Sequence, residues 1–117
     1  ITRHKVNSEI VAQFERQLKS LYGRGRAVDN IPTVADFAGA ANLTPGYFSD
    51  LVKRETGVAP KDMIMHQVVA EAKHRLAVSS DDVSIIAYDL GFQYPAHFTR
   101  MFKRLTGQSP TEYRSNS

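Results

Sequence analysis

The sequence predicts an all-α chain of about seven helices, arranged as two helix-turn-helix subdomains joined by a long linker helix. Three observations predict this. A fourteen-residue segment, Tyr47-Phe48-Ser49-Asp50-Leu51-Val52-Lys53-Arg54-Glu55-Thr56-Gly57-Val58-Ala59-Pro60, returns fifty residues later as His97-Phe98-Thr99-Arg100-Met101-Phe102-Lys103-Arg104-Leu105-Thr106-Gly107-Gln108-Ser109-Pro110. Its Phe, Lys-Arg pair, Thr-Gly and Pro recur in register. Apolar residues elsewhere recur at helical spacing, and Ser, Thr, Asp and Pro stand where helices would begin, with Gly where they would end. A period near fifty is long for a solenoid, and two copies separated by a long helical stretch favour paired modules over a stacked array.

Taken in order, Ile10, Phe14, Leu18 and Leu21 give a first amphipathic helix over residues 7–22, with Asn7 as its expected cap and Val6 placed to staple against Val11. Residues 23–32 are rich in Gly, Arg, Asp and Asn without periodicity and read as a loop. Thr33 caps a short helix from Val34 to about Ala41, with Asp36 in its first turn. Ala41-Asn42-Leu43 leaves room only for a tight turn before Thr44 caps the next helix, which opens at Pro45 and stops at Gly57. Two helices joined so closely cross steeply, which is helix-turn-helix geometry.

Pro60 starts a long helix to about Val78, its stripe formed by Ile64, Val68, Ala72 and Leu76. Ser79-Ser80-Asp81-Asp82 breaks it. Asp82 caps a helix over Val83 to Leu90 ending at Gly91, and Phe92-Gln93-Tyr94 turns into a helix that runs from Pro95 to Gly107. Phe37-Ala38 aligns with Ile86-Ala87 at an offset of 49 whereas Phe48 aligns with Phe98 at 50, so the second turn has one more residue. Ser109-Pro110-Thr111-Glu112 is a capping box that opens a short terminal helix carrying Tyr113 and Arg114. The expected organisation is residues 1–32 as N-terminal helix and loop, the helix packing on the first lobe; 33–58 as first helix-turn-helix; 59–79 as linker; and 80–117 as second helix-turn-helix with the terminal helix.

The bulk numbers narrow the function. Cysteine is absent, which excludes a disulfide scaffold, a zinc-thiolate site and a nucleophilic thiol. No apolar run is long enough to span a bilayer, and a cytoplasmic location is expected. The net charge of +3 is unevenly held: residues 1–96 carry eleven basic and eleven acidic side chains, whereas Arg100, Lys103, Arg104 and Arg114 face only Glu112 after that. A local basic footprint is what phosphate attraction needs, although a solvated helix face also reads this way. His4, His66 and His74 make no metal spacing, and no Ser/His/Asp grouping or Gly-rich phosphate loop occurs, so no catalytic residue, metal or cofactor is expected. The chain begins at Ile1, which suggests a fragment of a protein with an upstream regulatory domain.

Ile86-Ala87-Tyr88-Asp89-Leu90-Gly91-Phe92, followed by Phe98 through Arg114, resembles the C-terminal signature of the AraC/XylS family of bacterial transcription regulators. The likeness runs from about Thr33 to Arg114 and is more specific in the second half. The resemblance implies a DNA-binding domain of seven helices with two homeodomain-like lobes, the second helix of each lobe lying in the major groove and the two insertions about one helical turn, roughly 34 Å, apart. It also implies an N-terminal sensor domain in the intact protein. Val68 stands where the family's linker helix commonly has Arg and Arg75 where leucine is usual, which weakens the expectation of a polar link from that helix to the lobes. Val52 replaces the phenylalanine kept as Phe102.

By position, the resemblance puts base reading on Gly46, Ser49 and Asp50 in the first lobe and on Pro95, Ala96 and Arg100 in the second. Arg100 is the strongest candidate, because a guanidinium can bond guanine O6 and N7 together. Asp50 could accept from cytosine N4, repel phosphate, or pair with Lys53 or Arg54 on its own helix. Gly46, Pro95 and Ala96 offer only close backbone approach or contact with a thymine methyl group. Phosphate contacts are expected from Thr44, Tyr47, Lys53, Tyr94, Lys103, Arg104 and Arg114 and from amides at helix starts. Phe48, Phe98, Phe102, Leu43 and Phe92 read as core, Ala38 and Ala87 as small residues where helices cross, and His97 as either near DNA or simply exposed.

The function implied is sequence-specific binding of double-stranded DNA that regulates transcription initiation, by a fragment that is monomeric and takes no small-molecule effector. The competing expectation is a helical module that binds an acidic partner or RNA polymerase. Salt dependence separates the two, since phosphate binding releases counterions.

Overall fold

Local capping defines nearly every element of the computed structural model, which describes residues 2–116. Among these residues seven α-helices and one 3₁₀ turn follow in order: α1 (Arg3–Lys19), the 3₁₀ turn (Gly23–Gly25), α2 (Val34–Ala40), α3 (Pro45–Thr56), α4 (Pro60–Val78), α5 (Val83–Leu90), α6 (Pro95–Thr106) and α7 (Pro110–Ser115). Thr33 and Asp36 form a reciprocal capping box on α2, and Thr44 accepts the Tyr47 amide at 3.2 Å on α3. On α7 the Ser109 amide donates to the Glu112 carboxylate at 2.9 Å, and this bond, with the Ser109 hydroxyl, holds that carboxyl below its usual range. Asp82 occupies the cap of α5 without bonding through its side chain.

The repeated Thr-Gly has a shared mechanical role. The hydroxyls of Thr56 and Thr106 donate to the Val52 and Phe102 carbonyls, at 2.7 and 2.8 Å, and accept the amides of Val58 and Gln108. Gly57 and Gly107 then take positive φ, and the buried Pro60 and Pro110 open the next helix. In this sense α7 is the shortened counterpart of α4.

The N-terminus differs from expectation. Helix α1 begins at Arg3, four residues before Asn7, and Thr2 is its cap, accepting the Lys5 amide at 3.2 Å. Nothing in Arg3 to Val6 breaks a helix, so the element extends to the next available capping hydroxyl. Asn7 is instead a buried residue within the helix, and Val6, also inside it, cannot staple from outside.

Contacts divide the chain into two lobes: lobe 1 contains Ile1–Leu21 and Pro32–Gln67, lobe 2 contains Tyr22–Ile31 and Val68–Ser117. The division falls inside α4, and the segment after α1 belongs with lobe 2. In lobe 1 the Phe14 ring meets Phe37 at 4.8 Å and Phe48 at 5.2 Å, both edge to face, which fixes α1 against α2 and α3. Such pairs add about 0.5–1.5 kcal/mol beyond area burial. Val11, Leu18, Leu51, Val52 and Ile64 complete this core. In lobe 2 the rings run Phe92, Phe98, Phe102, Tyr113 at successive separations of 5.3, 5.7 and 5.6 Å, backed by Leu76, Ile86 and Leu90. Leu43 and Phe92 are half-buried, Phe48, Phe98 and Phe102 fully so.

Residues 22–31 form a strap on lobe 2. The Tyr22 hydroxyl donates to the Leu90 carbonyl at 2.6 Å, and the Val28 amide donates to the Asp89 carbonyl at 2.9 Å. Arg75 supplies a polar link that its departure from the family pattern made unexpected. Its guanidinium donates to the Arg26 carbonyl at 2.8 Å, pairs with Glu71 at 2.7 Å and lies 5.3 Å from the Tyr22 ring. Gly91 has φ 105°, and a Cβ there would meet the Ile31 nitrogen at 2.8 Å.

Gly91→Ala is therefore expected to lower the unfolding free energy more than Gly57→Ala or Gly107→Ala, as read by urea denaturation. Positive φ costs each alanine about 1–2 kcal/mol, but only at 91 does the methyl also strike backbone, the other two sites being open. Burial pushes the Tyr22 phenol above its ordinary value, with Arg75 opposing. The folded state thus keeps a proton that the unfolded chain releases near pH 10. Stability should hold below that pH and fall as pH rises above it, and Tyr22→Phe should lack this alkaline decline.

Candidate nucleic-acid interface

Helices α3 and α6 each bury one face because their apolar residues recur at 48, 51 and 52 and at 98, 101 and 102. The complementary faces are exposed: Gly46, Tyr47, Asp50, Lys53 and Arg54 on α3, and Ala96, His97, Arg100, Lys103 and Arg104 on α6. The fifty-residue repeat puts these five pairs at equivalent helical positions. Of the remaining base-reading candidates, Ser49 and Pro95 are half-buried.

The turns before the two helices share one closure. After a residue of positive φ, Asn42 at 59° or Gly91 at 105°, the amides of Leu43 and Phe92 return to the Ala38 and Ala87 carbonyls at 2.9 and 3.0 Å. Both alanines are fully buried, so the helices cross as closely as a methyl allows. The extra residue of the second turn lies beyond this closure, where Gln93 and Tyr94 stand in place of Thr44. The consequence is a different helix start. Thr44 caps α3 through its hydroxyl, which still has a proton to donate outward, whereas Tyr94 makes no side-chain cap and leans edge-on to His97 at 5.3 Å.

The faces differ most in charge. On α3 Asp50 and Glu55 offset Lys53 and Arg54, while α6 carries Arg100, Lys103 and Arg104 with no acidic residue. None of these side chains forms an ion pair with a described residue, so Asp50 is not paired with Lys53 or Arg54. Lys103 lies near enough to Glu112 to help lower that carboxyl. Arg54, exposed and equivalent to Arg104, joins the phosphate candidates on the same face; the repeat itself is the signal that points to it.

Arg114, a phosphate candidate by sequence, bonds through its guanidinium within lobe 2. Its Nε donates to the Leu76 carbonyl at 3.1 Å, Nη1 to Asp81 at 2.6 Å and Nη2 to Ser79 at 3.3 Å. The guanidinium thereby satisfies the Leu76 carbonyl in the last turn of α4, a group the helix cannot pair internally, together with the Ser79 and Asp81 carbonyls of the segment that follows. Among the described residues, no group of three His, Asp or Glu could hold a metal ion, and no helix is long and apolar enough to cross a membrane.

Arg114→Ala should cost roughly 1–3 kcal/mol of stability through those lost bonds, whereas Lys103→Ala should stay within about 0.5 kcal/mol of the parent. Parallel thermal melts of the two variants check this difference.

A family model described as a helix-turn-helix domain matches residues 37–116. The chain is similar to the HTH-type transcriptional regulator YobQ of Bacillus subtilis (strain 168), at 32% identity over 83 residues that cover 71% of this chain and 34% of that protein. It spans about a third of the length of the curated relatives it matches. Among solved structures, the C-terminal domain of AraT, a response regulator from Geobacillus stearothermophilus, aligns at TM-score 0.81 and 22% identity over 92% of this chain and 85% of that one, a likeness of fold. The DNA-binding domain of AdpA, a global transcriptional factor solved in complex with a target DNA, aligns at TM-score 0.73 and 27% identity, covering 94% of this chain and 90% of that one.

Proposed function

The chain belongs to the AraC/XylS family of helix-turn-helix transcription-regulator domains, and from that premise we propose that it reads double-stranded DNA through α3 and α6 as two major-groove helices. The carrying observation is the pair of equivalent solvent faces, one bearing Arg100, Lys103 and Arg104 with no acidic neighbour on its helix. AdpA's domain, similar over nearly its whole length, was solved on a target DNA. In the intact protein the domain acts as the output of a larger bacterial regulator of transcription initiation, a reading supported by relatives about three times longer than this chain.

Within this reading Arg100 is the principal base reader, with two of its N–H donors directed at one guanine. Gly46, Pro95 and Ala96 let the backbone come close, and Ser49, half-buried, has short reach. Asp50 either accepts from cytosine N4 or excludes phosphate from the middle of α3. Thr44, Tyr47, Lys53, Tyr94, Lys103 and Arg104, joined by Arg54, hold the phosphates, which set register without choosing sequence. Lobe 2 therefore contributes more of both affinity and discrimination than lobe 1.

Selection of the purified chain against a random duplex library at moderate salt is the direct test. Two short enriched elements support two reading helices, and salt-sensitive retention without enrichment leaves phosphate attraction alone. No retention would instead favour a protein partner. On the selected duplex, Arg100→Ala should weaken binding and relax preference at one base pair by about 1–3 kcal/mol. Lys103→Ala should weaken all duplexes alike and reduce the salt slope by about one unit.

A further inference from the structure

The strap marks the clearest difference between the second turn and the first. Helix α5 ends, like any helix, with four carbonyls that lack intrahelical partners. Gly91 and Phe92 amides serve those of Tyr88 and Ala87. The other two, Asp89 and Leu90, receive the Val28 amide and the Tyr22 hydroxyl. Arg75 clamps the same segment through the Arg26 carbonyl and the Tyr22 ring, while Ile31 crosses directly over Gly91. Only Phe92, Gln93 and Tyr94 separate Gly91 from the start of α6. Whatever fixes the end of α5 and Gly91 therefore fixes where α6 begins.

We infer that Tyr22 and Arg75 are positioning residues for α6, acting through the Leu90 carbonyl and the Gly91 turn to set where the face bearing Arg100 lies. Neither side chain touches DNA; Tyr22 is buried and Arg75 half-buried. The inference rests on the reading of α6 as a DNA-reading helix. Tyr22→Phe keeps the packed ring and removes only the hydrogen bond, and Arg75→Met keeps the aliphatic stem and removes the clamp.

The test is a set of double-mutant cycles by fluorescence anisotropy, on the duplex recovered by library selection, at fixed salt and well below the unfolding midpoint. Tyr22→Phe should weaken binding about threefold to tenfold, the scale of one hydrogen bond expressed through affinity. In an Arg100→Ala background that loss should shrink, whereas in a Lys53→Ala background it should persist in full, because of these two residues only Arg100 stands on α6. Arg75→Met should follow the same pattern. An equal loss in every background, or none in any, overturns the inference and leaves Tyr22 a purely structural residue. If Arg100→Ala alone leaves sequence preference unchanged, the reading of α6 itself fails, a result visible before Tyr22 is altered.

Discussion

In each lobe one backbone hydrogen bond closes the turn, Leu43 to Ala38 and Phe92 to Ala87, and the rest of the lobe depends on that closure. It requires three things of the sequence at once. A residue must take positive φ, which Asn tolerates and Gly takes freely. An alanine must sit where the helices touch, because a larger side chain would push them apart. An apolar residue must follow, to begin the core beneath the second helix. With the crossing set, the 3.6-residue period does the remainder: Phe48, Leu51 and Val52 or Phe98, Met101 and Phe102 face inward, and the opposite side faces solvent.

Most of this is legible in the sequence, because it is written locally. Thr33, Thr44 and Ser109 cap through their own hydroxyls and the glycines end helices through their own φ, so each signal lies within a few residues of what it controls. The two exposed faces are legible for the same reason, since helical spacing assigns them and the repeat matches one to the other. What the sequence hides has partners far away. Residues 22–31 have no periodicity, and their bonds to Asp89 and Leu90 leave no trace in local pattern. Arg75 and Arg114 look like ordinary basic residues until the carbonyls they bind are brought beside them by the fold. Thr2 gives no signal as a cap because the apolar stripe marks which face of α1 is buried but not where that helix begins.

The two lobes are one scaffold with unequal chemistry. A single added residue between Phe92 and Pro95 replaces a capping threonine with an uncapped tyrosine, and one change at the centre of the exposed face replaces Asp50 with Arg100. Neither alters the buried positions, so the copies can diverge in what they meet while keeping the same core pattern. Lobe 1 relies for its centre on Phe14, a ring brought in by α1, whereas lobe 2 draws its ring series from α6, the turn before it and α7.

The strap also orders events in time. Tyr22 and Leu90 are 68 residues apart, and closing a loop of that length costs roughly 2 kcal/mol more chain entropy than closing the five-residue turns. Chain entropy therefore favours forming the helices and turns before the strap docks. During synthesis Tyr22 leaves the ribosome well before its acceptor exists, and it must remain solvated until α5 has emerged. The second lobe is thus a discontinuous folding unit: a protein cut at the middle of α4 would keep every helix of that lobe's repeat and still lack the piece that completes it.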